Sequence, residues 1–326
     1  MSLRSTTFIG LSIASLAYTW FYMFKYLEWS FNNYESKLQS PPPADHLVFR
    51  VAEWTRHTGL FEEAWAAVNF HPLRWWWSES LCLYTTGVWT IFIAVEGHRH
   101  KIKRVWAYML LGQLVAISVA SNLFYLALLV SSPPPTRNKP TAVKPRVWIS
   151  VLLSLATVAV SPFTSDRSFL PNLLIMHTLI FLSIIPNYSP IADPVRHHPY
   201  SLRVSTLYRI AFLVSAIIRM RTARVAAAYL AATRPMSKAH IISAATSVLY
   251  SHPAMSSIGW DVIWTSISFV VWVLVRPTHP SDMSKARALP FLSIATPLAS
   301  IAITAPYVLR FGEAVDPSAD GNVKAE

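Results

Sequence analysis

Eight long apolar segments constrain the fold of this 326-residue chain more than any other feature. A helix needs about 20 mostly apolar residues to cross the hydrocarbon core of a bilayer. Segments of this kind lie at 6–24, 79–95, 105–130, 147–163, 169–186, 204–220, 258–275 and 288–309. Lipid offers the backbone no hydrogen-bond partner, so such segments must be helical, and nothing here alternates like a barrel strand. The sequence therefore predicts an all-α, polytopic transmembrane bundle of about eight spans.

The composition excludes several other classes of protein. Hydrophobic residues make up 53% of the chain and charged residues only 13%, against about 25% charged in a soluble domain. The formal net charge is +12, but basic residues cluster at 99–104, 137–146 and 219–224, next to apolar segments. This placement is typical of loops that flank membrane spans, so nucleic acid is not an expected partner. The single cysteine, Cys82, excludes an internal disulfide.

We expect one transmembrane domain over residues 1–312. Its first segment lacks a small-residue cleavage site and is interpreted as an uncleaved anchor. Two connections are long: residues 44–70 resemble an amphipathic helix that caps the bundle, and residues 221–257 form a polar connection with a second interfacial helix. The proline-rich loop 131–146 is expected to be extended. The acidic tail 313–326 is predicted to be disordered.

Ionisable side chains within spans are energetically costly and are therefore candidate functional groups. Asp261 lies near the start of the seventh segment, and Glu96 ends the second. If eight spans alternate in direction, these two segments run oppositely, and both carboxyls lie near one face of the membrane. We therefore expect them to share a pocket in which one is protonated beside the other's charge. Gln113 and Asn122, in the third segment, are predicted to orient them or a substrate oxygen.

Other assignments remain open. Glu63 and Glu79 are reserve carboxyls on the opposite side, and they replace Glu96 if the pocket opens there. Each candidate also has a structural interpretation: Glu96 neutralises the basic residues that follow it, Asp261 makes a structural hydrogen bond, and Glu79 lies at the membrane interface. His177 is most simply a core histidine.

Four stretches of this chain resemble one family. They are RWWWSESLCLYTTGVWTIF at 74–92, WAYMLLGQLVAISVASNLF at 106–124, LFEEAW at 60–65, and the segment that contains Trp260 and Asp261. The family is that of fungal membrane-bound terpene cyclases of the ascofuranone/ascochlorin and macrophorin type, with related proteins in indole-diterpene pathways. The resemblance covers roughly residues 50–130 and 258–276.

The resemblance implies a metal-independent enzyme of secondary metabolism that uses no cofactor. An acid protonates an alkene or epoxide of a lipophilic prenylated small molecule, a meroterpenoid or indole-diterpene precursor, and the cation closes rings. Asp261 is our candidate acid, and aromatic faces stabilise such cations; the candidate rings are those of Trp89, Trp106, Trp260 and Trp264. The expected location is the endoplasmic reticulum membrane, among lipids and other enzymes of the pathway. The alternative function is a multi-pass exporter of a lipophilic metabolite.

Overall fold

The computed structural model describes residues 3–38, 47–131, 142–185, 190–191, 200–233, 237–277 and 282–313. These residues are almost entirely helical, and their strands are limited to β1 (Ala142–Val143) and β2 (Leu202–Arg203), which pair antiparallel. The predicted all-α fold is confirmed.

In chain order, the α-helices of these residues are α1 (Leu3–Ser36), α2 (Leu47–His57), α3 (Leu60–Asn69), α4 (Pro72–Leu83), α5 (Thr90–Arg99), α6 (Val105–Leu114), α7 (Ile117–Val130), α8 (Pro145–Val160), α9 (Asp166–Leu182), α10 (Val204–Thr233), α11 (Lys238–Leu249), α12 (Pro253–Val275), α13 (Lys285–Ala299) and α14 (Ile301–Leu309). A π-helical segment, Tyr84–Trp89, joins α4 to α5, so Pro72–Arg99 is one continuous helix.

Four helices among the described residues are long and apolar enough to cross a membrane: Leu3–Ser36, Pro72–Arg99, Pro145–Phe163 and Pro253–Val275. Large apolar side chains on several of the helices are exposed, for example Ile13, Leu153 and Leu298. Because such a surface is stable against lipid rather than water, the chain is a helical membrane protein. The expected number of eight spans is not confirmed.

The long helices run between two ends of the molecule. At one end a cavity is lined by Arg4 of α1, Glu96 of α5, Ser131 after α7, Arg276 after α12, and Glu313. We call this end the Glu96 end.

At the opposite end, the Trp77 indole of α4 donates a hydrogen bond to the Ala245 carbonyl of α11 (3.1 Å). His71, just before α4, lies 3.3 Å from the Tyr229 hydroxyl of α10. We call this end the Trp77 end.

The helix Pro72–Arg99 and α12 run parallel, both starting at the Trp77 end. Each begins after a His-Pro pair: Nδ1 of His71 accepts the Leu73 N–H (3.3 Å), and Nδ1 of His252 accepts the Ala254 N–H (3.2 Å). Burial first, and then the Arg74 cation, lowers the pKa of both histidines, which keeps the ring a neutral acceptor. The prediction that these two segments run in opposite directions is therefore wrong.

These two helices run parallel because residues 105–130 form a hairpin rather than one span. α6 starts at the Glu96 end, where a Cβ on Gly97 would lie 2.6 Å from a Val105 methyl. The chain breaks at Ala116, whose backbone is extended, and α7 returns until Ser131 Oγ lies 2.7 Å from His100 Nδ1. Both ends of this α6–α7 hairpin lie at the Glu96 end.

Three helices then connect the two ends. α8 reaches the Trp77 end, where Asn69 donates to the Ser161 carbonyl (3.2 Å). α9 returns to the Glu96 end, where Ile184, just after α9, lines the same cavity as Gly97 of α5. α10 runs from Tyr208, which lines the Glu96-end cavity, back to the Trp77 end. Because three helices cross between the two ends before α12 begins, α12 starts at the same end as the helix Pro72–Arg99 and runs parallel to it.

The predicted span 288–309 is also a hairpin. Lys285, at the start of α13, donates to the Leu274 carbonyl (2.7 Å) near the Glu96 end. The turn at Ser300 has a φ of 118°, and the Ser300 hydroxyl lies 2.6 Å from that of Ser80. α14 then returns to Gly312, which packs against Asp282.

Some expectations concern residues outside the described ranges. These are the proline-rich loop over 132–141, the first residues of the capping segment at 44–46, and the tail over 314–326. The rest of the capping segment is helical, as α2 and α3. Glu313, which we assigned to the tail, is buried and bound to Arg99 (2.6 Å).

Candidate functional site

A cavity of about 310 Å³ lies beside Asp261. It is surrounded by α1, α3, α4 with the π-helical segment, the tip of the α6–α7 hairpin, α9 and the first half of α12. Its wall is mostly apolar, so the few polar side chains on it determine what it can do chemically.

Asp261 is buried and bound to the break between α6 and α7. Its Oδ2 accepts the Ile117 N–H (2.9 Å), and its Oδ1 accepts the Ser118 N–H (2.8 Å). These are orphan donors at the start of a helix, where the helix dipole also favours a carboxylate. The Trp20 indole donates to the Val115 carbonyl on the other side of the break (3.2 Å). Non-helical backbone is therefore supplied with partners inside the bundle, as membrane depth requires.

Gln113 lines the same cavity, at the end of α6. Its amide nitrogen is buried and has no hydrogen-bond partner among the described residues. Gln113 therefore brings to this cavity a donor that is unpaired among the described residues, close to the hairpin tip. Thr85 and Thr86, from the π-helical segment, add hydroxyl groups to the wall.

The aromatic part of the wall comes from residues that the sequence did not indicate. Phe61 and Trp65 of α3 contact His177 of α9 edge to face, with ring centroids 5.4 and 6.0 Å apart. Nδ1 of His177 lies 2.8 Å from the Leu173 carbonyl, so this nitrogen carries the proton and Nε2 is an acceptor. Tyr26 of α1 completes the wall.

The hydroxyl of Tyr26 connects this wall to Glu63. It lies 2.9 Å from Glu63 Oε2 and 2.7 Å from the Leu60 carbonyl. The same Glu63 oxygen accepts from Ser30 (2.5 Å). Glu63 itself does not line the Asp261 cavity but a second one, at the surface of the Trp77 end.

Glu96 does not share a pocket with Asp261, which corrects our prediction. It lines the Glu96-end cavity with Trp272, and about 17 Å of α12 separates Trp272 from Asp261. Glu96 is bound to Arg99 (2.6 Å), which also binds Glu313. These contacts agree with the structural interpretation of Glu96, in which it neutralises the basic residues that follow it in the chain.

Glu79 is fully buried but is held by other side chains. It accepts a hydrogen bond from Thr222 (2.5 Å) and pairs with Arg219 (3.5 Å), which also donates to the Trp76 carbonyl. Glu79 is therefore buried inside the bundle, and it does not line the Asp261 cavity.

None of the four tryptophans that we expected to line the pocket does so. Trp260 and Trp264 pack on Tyr18 of α1, with ring centroids 4.6 and 5.6 Å away. Trp89 is buried in an aromatic cluster with Phe124 (5.7 Å).

The last of the four, Trp106, lines a cavity at the Glu96 end. Asn122 is buried in α7, and its amide has no partner among the described residues, but it does not line the Asp261 cavity.

The fold and site are those of a helical membrane protein with a cavity that holds one carboxyl. A family model described as a protein of unknown function, DUF2834, matches residues 48–129, which include α3 and the hairpin tip. This match covers about a quarter of the chain. Neither a curated protein nor a solved structure matches the chain.

Proposed function

We propose that this chain is a terpene cyclase embedded in the endoplasmic reticulum membrane, which it crosses several times. Its substrate is a lipophilic prenylated small molecule, the precursor of a meroterpenoid or an indole diterpene in secondary metabolism. The observation that carries the proposal is Asp261, a buried carboxyl beside a cavity whose wall is apolar and partly aromatic. The proposal requires neither a metal nor a redox cofactor.

Asp261 supplies the initiating proton. The proton moves from the carboxyl to the terminal carbon of an alkene, or to the oxygen of an epoxide, and the π bond or the C–O bond breaks. A neighbouring double bond then attacks the cation to form a ring, and loss of a proton ends the cascade. One proton is added and one is lost, so the product is an isomer of the substrate.

The hydrogen bonds of Asp261 fit this role. Each carboxyl oxygen accepts one backbone N–H, and each has a second lone pair. An alkene is a very weak base, so its protonation needs a strong acid. The N–H groups of Ile117 and Ser118 stabilise the carboxylate that remains after transfer.

The aromatic wall supports the later steps. Phe61, Trp65 and Tyr26 face the cavity, and each ring face stabilises a passing cation by about 0.5–2 kcal/mol. An apolar wall also excludes water, which would otherwise capture the cation before ring closure.

The experiment that tests the proposal compares wild-type and Asp261→Asn protein in microsomes supplied with a panel of prenylated and epoxidised precursors. The wild type should form a cyclised isomer, identified by retention time and NMR because its mass is unchanged, and Asp261→Asn should form less than a hundredth as much. Glu53→Gln is the matched control, since this carboxyl lies on exposed α2. Full activity of Asp261→Asn removes the assignment of the acid, and no isomer from the wild type removes the cyclase.

A multi-pass exporter of a lipophilic metabolite remains the second candidate. The observation in its favour is a second large cavity, about 490 Å³, at the Glu96 end, so that charged groups line cavities in both halves. Against it, the rings of Tyr84, Trp89 and Phe92 stack between the two cavities. Loss of labelled precursor from loaded vesicles, with no isomer formed, would favour the exporter.

A further inference from the structure

The hydrogen bond between Tyr26 and Glu63 joins two cavities that are otherwise separate. Tyr26 lines the Asp261 cavity, and Glu63 lines a cavity of about 410 Å³ at the surface of the Trp77 end. Tyr26 is 2% exposed, whereas Glu63 is half-buried, so the pair extends from the protein interior to the solvent side.

From this geometry we propose that Tyr26 and Glu63 form a proton relay between the solvent at the Trp77 end and the Asp261 cavity. The relay would supply the acid of the proposed cyclase with its proton. It rests on the proposed function only in what Asp261 then does with that proton. An acid that gives up a proton in each reaction cycle must regain one, and Tyr26 and Glu63 connect the Asp261 cavity to the surface cavity at the Trp77 end.

The hydroxyl of Tyr26 can exchange its hydrogen-bond partner. It lies within hydrogen-bond distance of Glu63 Oε2 (2.9 Å) and of the Leu60 carbonyl (2.7 Å), but it has only one proton to donate. When Glu63 is ionised, Tyr26 donates to it. When Glu63 is protonated, Glu63 donates to Tyr26, and Tyr26 donates to Leu60. The hydroxyl thus keeps a partner in both protonation states of Glu63.

The transfer is balanced at each step. Glu63 takes a proton from a hydronium ion in the surface cavity and passes it to the Tyr26 oxygen, while the original hydroxyl proton of Tyr26 leaves the Leu60 carbonyl and is taken up by a water molecule in the Asp261 cavity. Before substrate enters, water in the cavity carries that proton to the Asp261 carboxylate. Glu63 returns to the carboxylate form, ready for the next proton.

The surroundings hold the relay in place. Ser30 donates to the same Glu63 oxygen (2.5 Å), and the Trp54 indole donates to Ser30 (3.2 Å). These bonds tie α1, α2 and α3 together, so a purely structural role for Tyr26 and Glu63 must also be tested.

Infrared spectroscopy of the detergent-solubilised full chain separates the two roles without any substrate. A protonated carboxyl has a carbonyl band that shifts when its proton is exchanged for deuterium, and the band lost in Asp261→Asn belongs to Asp261. After transfer into D₂O, we expect Tyr26→Phe and Glu63→Gln to slow the shift of this band at least tenfold. Glu63→Asp should restore part of the rate, because it returns a titratable group.

Tyr22→Phe is the matched control, since Tyr22 lies one turn earlier on α1 and contacts Tyr250 rather than Glu63. It should exchange at the wild-type rate. Exchange in Tyr26→Phe and Glu63→Gln as fast as in the wild type overturns the relay while leaving the cyclase standing. Slowed exchange without any cyclised product would support the relay and remove the cyclase, and absence of an Asp261 band would remove both.

Discussion

At the residue scale, the buried carboxyls differ in what holds them. Glu79 is paired with Arg219, and Glu96 and Glu313 are paired with Arg99. A buried carboxylate with a fixed cationic partner has a structural role, because removing either partner leaves the other charge buried without compensation. Asp261 accepts the backbone N–H groups of Ile117 and Ser118, forms no ion pair among the described residues, and faces a cavity. This difference separates a candidate acid from structural ion pairs.

The structural role of Glu79 is testable. Arg219→Met should leave Glu79 buried without its cation and should destabilise the protein by about 3–5 kcal/mol. The double variant Glu79→Gln/Arg219→Met should recover part of this loss, because neither charge remains. Unfolding in mixed detergent micelles, followed by circular dichroism, measures both. Equal stability of Arg219→Met and wild type would contradict the buried ion pair.

The sequence indicated Asp261 because a carboxyl within an apolar segment is rare. It did not indicate Phe61, Trp65 or Tyr26, because their approach to Asp261 depends on how α1 and α3 pack against α12. Tryptophans next to Asp261 in the chain were more obvious candidates, but neighbouring positions on a helix point in different directions. Trp260 therefore packs on Tyr18 while Asp261 faces the cavity.

At the element scale, the two hairpins are the main departure from the sequence prediction. Segment 288–309 contains three prolines (Pro290, Pro297 and Pro306), which disfavour one straight helix, so its interruption was detectable. The break at Ala116 has no adjacent proline or glycine. It is stabilised by Asp261 and Trp20, which are distant in sequence, and local pattern alone could not predict it.

Close packing of α6 on α7 depends on Gly112. A Cβ at this position would lie 2.8 Å from Ile117 Cδ1 and 3.4 Å from Ala120 Cβ. Gly112→Val should push the two helices apart, destabilise the protein by about 1–3 kcal/mol, and displace the N–H groups that bind Asp261. We therefore expect a lower melting temperature together with loss of turnover.

Gly10→Val is the matched control, because Gly10 is exposed on α1 and a Cβ there meets no atom within 4 Å. It should melt and react like the wild type. If Gly112→Val also melts and reacts like the wild type, the tight contact at the hairpin tip is not present in the protein.

At the scale of the whole molecule, hydropathy gave the class and the helices but not the path of the chain. The sequence prediction counted each apolar segment as one crossing of the membrane. The helices Pro72–Arg99 and Pro253–Val275 do have the length and composition that one crossing needs. The α6–α7 hairpin returns to the side from which it enters, and every later segment then changes direction. This single error placed Glu96 beside Asp261, although the two carboxyls lie in different halves of the bundle.

Side-specific labelling distinguishes the two topologies. In a Cys82→Ala background, single cysteines replace Lys37, Lys101 and Tyr250, all of which are exposed. The structure places Lys37 and Tyr250 at the Trp77 end and Lys101 at the Glu96 end, so an impermeant maleimide added to sealed microsomes should separate Lys101 from the other two. Eight alternating spans instead place Lys101 and Tyr250 on one side and Lys37 on the other. Labelling of the Lys101 and Tyr250 positions from the same side would therefore contradict the path of the chain in the structure, which has three crossings between them.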